Sequence, residues 1–182
     1  DWRFRVAILG CALAVLAAAL VFLPIWRSTP ADFKPVHRVK AIDFWQARAL
    51  RRTAEAEITA GRAAEGIATY RAAMSNDPGD LDLVRDYLRQ VKLHGRIREH
   101  TTSAIQTGIW LLRLSRTNHA DLELVVDIYE RFLLDELVVY LLEPLEGGLS
   151  PFSKEPMRER FLLPARHRAL QQAGPGSKRK AE

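Results

Sequence analysis

Hydrophobic and polar residues alternate along this chain in two different ways. From Val6 to Trp26 no charge interrupts the run; eleven of its 21 positions are Val, Ile, Leu or Phe, and six more are Ala. From Asp43 onward, apolar residues recur every three or four positions among charges, which is the period of amphipathic helices. The first pattern predicts a single transmembrane helix over 6–26. At about 1.5 Å per residue it reaches roughly 31 Å, against a hydrocarbon core of about 30 Å. Trp2 and Trp26 fall near its two ends, where an indole buries its ring and keeps its N–H hydrated. Gly10, Ala14, Ala17 and Ala18 give such a helix a small-residue face for packing on others.

Two other readings of this run are weaker. A cleaved signal peptide needs small residues after the apolar core, and Pro30 spoils Thr29-Pro30-Ala31 for that purpose. A buried core helix needs more surrounding chain than is present. Orientation rests on flanking cations: Arg3 and Arg5 on one side against Arg27, Lys34, Arg38 and Lys40 on the other, which places the bulk of the chain in the cytoplasm. A short arm ahead of a first span acts instead as a signal-anchor and sends the bulk to the periplasm or lumen. The second arrangement is the one preferred here, in a bacterial inner membrane suggested by the Ala-, Leu- and Arg-rich composition.

Beyond the apolar run the chain divides into a basic juxtamembrane linker (27–42), a helical domain (43–146), a loop and capping helix (147–173) and a basic, disordered tail (174–182), with residues 1–5 as the N-terminal flank. Within the helical domain Leu50, Ala54, Gly61, Gly66, Tyr70, Ala73 and Pro78 fall at positions 4, 8, 15, 20, 24, 27 and 32 of a 34-residue frame. Small Ala54 and Gly66 allow two antiparallel helices to approach closely, and Gly61 supplies the turn. Asn76-Asp77-Pro78 ends the second helix. Residues 47–80 thus resemble a tetratricopeptide repeat, with Glu57 where the frame usually has an aromatic and Gly66 where it usually has alanine. A weaker second frame starts at Leu81 and again puts a glycine, Gly95, at the turn. The resemblance implies an α-hairpin solenoid that presents a concave surface to peptides or other subunits.

Residues 119–143, with a break near Leu134-Asp135, are apolar on too many sides for one amphipathic stripe. Either they close the solenoid core or part of their surface docks onto another subunit or a lipid surface. A short basic helix from Met157 to Gln172, interrupted at Pro164, follows. The fold class read from the sequence is therefore all-α: one transmembrane helix, then a short solenoid of hairpins.

Composition and charge narrow the function. The net charge of +5 divides into +1 over residues 1–5, +3 over 27–42, −4 over 43–146 and +5 over 147–182. The helical domain is slightly acidic, so the positive excess is not the basic face of a nucleic-acid binder. The single cysteine, Cys11, excludes an intrachain disulfide framework. His37, His94, His100, His119 and His167 are scattered without ligand spacing. No nucleophile, metal or phosphate-loop motif occurs, so neither enzyme activity, cofactor nor small-molecule substrate is expected.

The leading expectation is a non-catalytic, single-pass accessory or scaffold subunit of a membrane protein complex, its partners being other subunits and the lipid bilayer. The alternative is a membrane-tethered adaptor or chaperone that holds client chains transiently during assembly or secretion, with Glu57, Tyr70, Arg71, Arg85 and Tyr87 in its groove. Glu57, Arg71, Arg85, Tyr87, Trp110, Phe132 and Phe161 are the candidate partner surface.

Overall fold

Helix α1 runs Trp2–Val21, with Arg3 and Arg5 inside its first two turns. The chain then leaves helical geometry: Pro24–Trp26 is a short strand, β1, paired antiparallel with β2, Arg38–Lys40, in the register Pro24–Lys40, Ile25–Val39 and Trp26–Arg38. Proline fits the first position of a strand because it has no N–H to give to a ladder. The computed structural model describes residues 2–21, 23–26, 38–116, 118–146 and 157–172. The expected loop and tail (147–156 and 173–182), and Arg27 and Lys34 of the expected linker, lie outside those residues.

The transmembrane helix expected over 6–26 is corrected by this arrangement. Its last residues belong to the strand pair, leaving only Val6–Val21 as uncharged helix. Those 16 residues reach about 24 Å, short of the roughly 30 Å a span requires. Among the described residues no helix is long and apolar enough to cross a membrane. The single-pass anchor, and the inner-membrane placement built on it, therefore lose their basis. Val39 is 3% exposed, and the Ala41 N–H donates to the Leu23 carbonyl at 3.0 Å, so β2 runs directly into the next helix.

The rest of the described chain is mostly helical. Helices α2 (Ala41–Thr59), α3 (Ala63–Asn76), α4 (Leu81–His94), α5 (Ile97–Leu114), α6 (His119–Arg131) and α7 (Asp135–Glu146) precede a π-helical turn at Arg158–Leu162 and α8, Leu163–Gln172. Contacts divide the chain into two units, 1–87 and 88–182, with the boundary inside α4.

In the first unit α2 and α3 are the most closely packed helix pair among the described residues. The reason is side-chain size. A Cβ at Gly66 would lie 2.4 Å from Ile58 Cγ1 and 3.0 Å from the Ala54 carbonyl oxygen, so only glycine permits this approach. The turn between them is a Schellman motif: Arg62 N–H donates to the Glu57 carbonyl, Gly61 N–H to that of Ile58, and Gly61 takes φ +81°. Ala54, Ile67, Tyr70, Ala73, Leu83, Val84 and Tyr87 fill the core.

In the second unit Gly108 of α5 does what Gly66 does in the first. A Cβ there would sit 2.9 Å from Tyr129 Oη and 3.0 Å from Val125 Cγ1 of α6. The Tyr129 hydroxyl donates to the Ile105 carbonyl at 3.0 Å. α6 also ends in a Schellman motif, with Leu134 N–H to the Tyr129 carbonyl and Leu133 N–H to that of Glu130; here Leu133, not glycine, takes the left-handed position at φ +59°. Met157, Phe161, Leu162 and Ala165 are buried, and both the π-helical turn and α8 pack on α7. Pro164 explains the π-helical turn: with no N–H to give, it breaks the regular ladder just ahead, and Leu163 N–H donates five residues back, to Arg158.

Candidate partner-binding surface

Two surfaces of the first unit stand out. On α2, Arg48, Arg51, Arg52 and Glu55 are spaced i, i+3, i+4 and i+7 and share one stripe of the helix. Together with Ala47, Asp80, Asp82 and Leu83 they line a cleft of about 410 Å³, between α2 and the start of α4. Asp80 caps α4: its Oδ1 accepts from Asp82 N–H at 3.1 Å and from Leu83 N–H at 3.2 Å.

Within the cleft the charges differ in how they are used. Arg51 is ion-paired with Asp86 and, at 3.3 Å, with Glu55. Burial works against its charge, but Asp86, Glu55 and Asp80 outweigh it and hold the guanidinium's pKa above the usual arginine value. Arg85 bonds Asp82 at 3.0 Å. Tyr70 lies beneath; burial first, then the carboxylates of Glu55 and Asp86, push its hydroxyl up to about 12. Arg48 and Arg52 are exposed, and among the described residues neither has a carboxylate partner. Arg48 stacks over Phe44, 4.3 Å from the ring centroid. Phe44 meets Trp45 edge to face at 5.6 Å, and Trp45 is 64% exposed.

The second surface is α1. Its apolar side chains face solvent on all sides: Val6, Ile8, Leu9, Leu13, Val15 and Leu16 are each more than half exposed. Ala7, Cys11, Ala12 and Ala19, with Ile8, Val15 and Leu16, line an apolar groove along it. Gly10, Ala14, Ala17 and Ala18, chosen from sequence as a packing face, are all exposed, and an added Cβ at Gly10 meets nothing within 4 Å.

The remaining sequence-chosen residues scatter. Tyr87, Phe132 and Phe161 are 1%, 2% and 1% exposed; they are core side chains and offer no face to a partner. Glu57 accepts from the Thr69 hydroxyl at 2.7 Å, Arg71 is exposed, and Arg85 and Trp110 are half-buried. Of the repeat-frame residues, Ala54, Gly66, Tyr70 and Ala73 are buried, Leu50 and Pro78 are half-buried, and Gly61 lies at the exposed turn. Gly95 is buried after α4, where a Cβ would lie 2.4 Å from the Val91 carbonyl oxygen. Sequence reasoning missed Arg48, Arg52 and Trp45, which read as ordinary exposed residues of α2.

The second unit carries an ionic seam. Arg168 donates to Asp135 Oδ1 at 2.8 Å and to Glu130 Oε1 at 3.0 Å, Arg160 to Glu123 at 2.8 Å, and Arg166 to Glu143 at 2.9 Å. Asp135 is almost wholly buried, and its bond, with that of Glu130, holds the Arg168 pKa above the usual arginine value against some loss from burial. Among the described residues no three His, Cys, Asp or Glu side chains are placed to hold a metal ion. Comparison with known proteins finds no match among family models, curated proteins or solved structures.

Proposed function

We propose that the protein is a non-catalytic scaffold subunit that holds partner proteins through its helical surfaces. The observation that carries this reading is α1, a 20-residue helix whose apolar side chains remain exposed around its circumference. Fully burying one Val, Leu or Ile side chain is worth about 1.5–3 kcal/mol, so half-exposed ones each retain a sizeable part of that drive. A helix apolar on all sides is a helix that belongs inside something larger. The groove beside Ala12, walled by Ile8 and Leu16 at i±4 spacing, has the shape that receives a ridge of a partner helix. The likeness of residues 47–80 to a tetratricopeptide repeat supports the same interaction role for the α2–α3 hairpin.

The test is purification of the tagged chain from its native cells, with quantitative mass spectrometry of what accompanies it. A set of proteins at fixed ratio, lost with Ala12→Glu and retained with Arg113→Glu, is the expected result. Recovery indifferent to Ala12→Glu sinks the scaffold reading. A second reading, an adaptor that holds client chains transiently, is favoured by Arg48 and Arg52 of the α2–α4 cleft, which have no carboxylate partner among the described residues, and expects substoichiometric, exchanging partners instead.

A further inference from the structure

The geometry points to the α2–α4 cleft as a binding site for an acidic protein segment in extended conformation, its carboxylates received by Arg48 and Arg52. This rests on the reading of the chain as a partner-binding protein and names the chemistry of one partner. The argument is one of charges already spent and charges left over. Every carboxylate at the cleft has a partner within it: Glu55 and Asp86 on Arg51, Asp82 on Arg85, and Asp80 on the first N–H groups of α4. Arg51 is likewise committed. Arg48 and Arg52 remain, both exposed and without a carboxylate partner among the described residues.

Their spacing selects the ligand's shape. Residues four apart on a helix have Cβ atoms about 5–6 Å apart. Residues two apart on an extended chain lie about 6.6 Å apart and point to the same side. An acidic segment with carboxylates at alternate positions therefore meets both arginines at once. Trp45, three residues before Arg48 on the same stripe and 64% exposed, offers the intervening stems an apolar shelf.

A phosphate group fits less well. The N–H groups at the start of α4, which would form an anion site at a helix N-terminus, are already capped by Asp80. Asp82, 72% exposed at its side chain, would repel a dianion more than a single carboxylate. Nucleic acid is disfavoured by the net −4 over residues 43–146.

The experiment is fluorescence anisotropy of a labelled, end-blocked peptide of alternating glutamate and serine, titrated with the purified full chain. Competing arms use a peptide of the same composition with its glutamates in one block, and inorganic phosphate. Saturable binding that weakens with salt is expected. Double substitution Arg48→Glu/Arg52→Glu should lower affinity about tenfold or more, as two charge-assisted contacts at an exposed site would. Arg113→Glu, an exposed arginine of α5, should leave affinity within about twofold. Both sites are on the surface, so unchanged circular dichroism establishes that the variants fold. Unsaturable binding, equal loss in the Arg113→Glu chain, or displacement by phosphate below the peptide's own concentration overturns the inference. Because the titration uses the isolated chain, its failure leaves assembly through α1 standing, and loss of co-purifying subunits leaves the titration standing.

Discussion

Gly66 and Gly108 hold the same position in two different helix contacts, and each is glycine because a neighbour's atoms occupy the place of a Cβ. Helix propensity alone would favour alanine by about 1 kcal/mol. At Gly66 the added methyl must displace Ile58 and crowd a backbone carbonyl, and overpacking of this kind costs about 1–3 kcal/mol. Gly66→Ala is therefore expected to destabilise the protein despite better propensity, and a raised urea midpoint would show that α2 and α3 separate more easily than the packing implies. Tyr129 gives a second residue-level expectation. Burial pushes its hydroxyl up to about 12 from an ordinary 10. The unfolded chain gives up that proton first, so this group's contribution is complete below pH 10. It is then lost between about pH 10 and 12, at about 1.4 kcal/mol per pH unit. Stability measured against pH should fall less steeply across that window in Tyr129→Phe than in the parent; parallel curves would mean that the hydroxyl is not desolvated.

At the scale of elements, the C-terminal segment shows how charge and apolar burial combine. Phe161 and Leu162 are buried, while Arg160, Arg166 and Arg168 reach acids on α6 and α7. Arg168 meets Asp135, which is 1% exposed at its side chain. Removing one partner of a buried pair leaves the other uncompensated, at a cost of about 3–5 kcal/mol; Gln172, which donates to Asp135 Oδ2 at 3.3 Å, offsets part of it. Arg168→Ala should thus lower stability by about 2–4 kcal/mol, and Arg160→Ala, an exposed pair, by under about 1. Chemical denaturation of the two variants decides this, and equal effects would remove the special role of Asp135. Where each hairpin turns was legible in sequence at Gly61, whose φ no other residue type adopts as readily. It was less legible at the end of α6, where Leu133 takes the same conformation with nothing in its identity to announce it.

For the whole molecule, what could be read in advance was what depends on near neighbours in the chain. Helical periodicity from Asp43 onward, the glycine turn, the stop at Asn76-Asp77-Pro78 and the break before Asp135 are local, because a helix satisfies its backbone within four residues and its ends are written in the residues beside them. The slightly acidic balance of residues 43–146 needed only addition. The limit of α1 was not local: uncharged sequence continues to Trp26, but backbone pairing of residues 24–26 with residues 38–40 takes the last part of that run into a strand, and a span counted from composition comes out too long. The site was equally hidden. Arg48 and Arg52 are ordinary exposed arginines in sequence; only the packing of α4 beside α2 supplies Asp86 to Arg51 and leaves those two unmatched. Tyr87, Phe132 and Phe161, expected on the partner surface, are buried in the core. Sequence by itself determined where helices form and turn, since those are short-range hydrogen-bond and torsional preferences. Which charges remain available, and which apolar faces remain uncovered, was decided by tertiary structure, since both depend on what distant segments bring alongside.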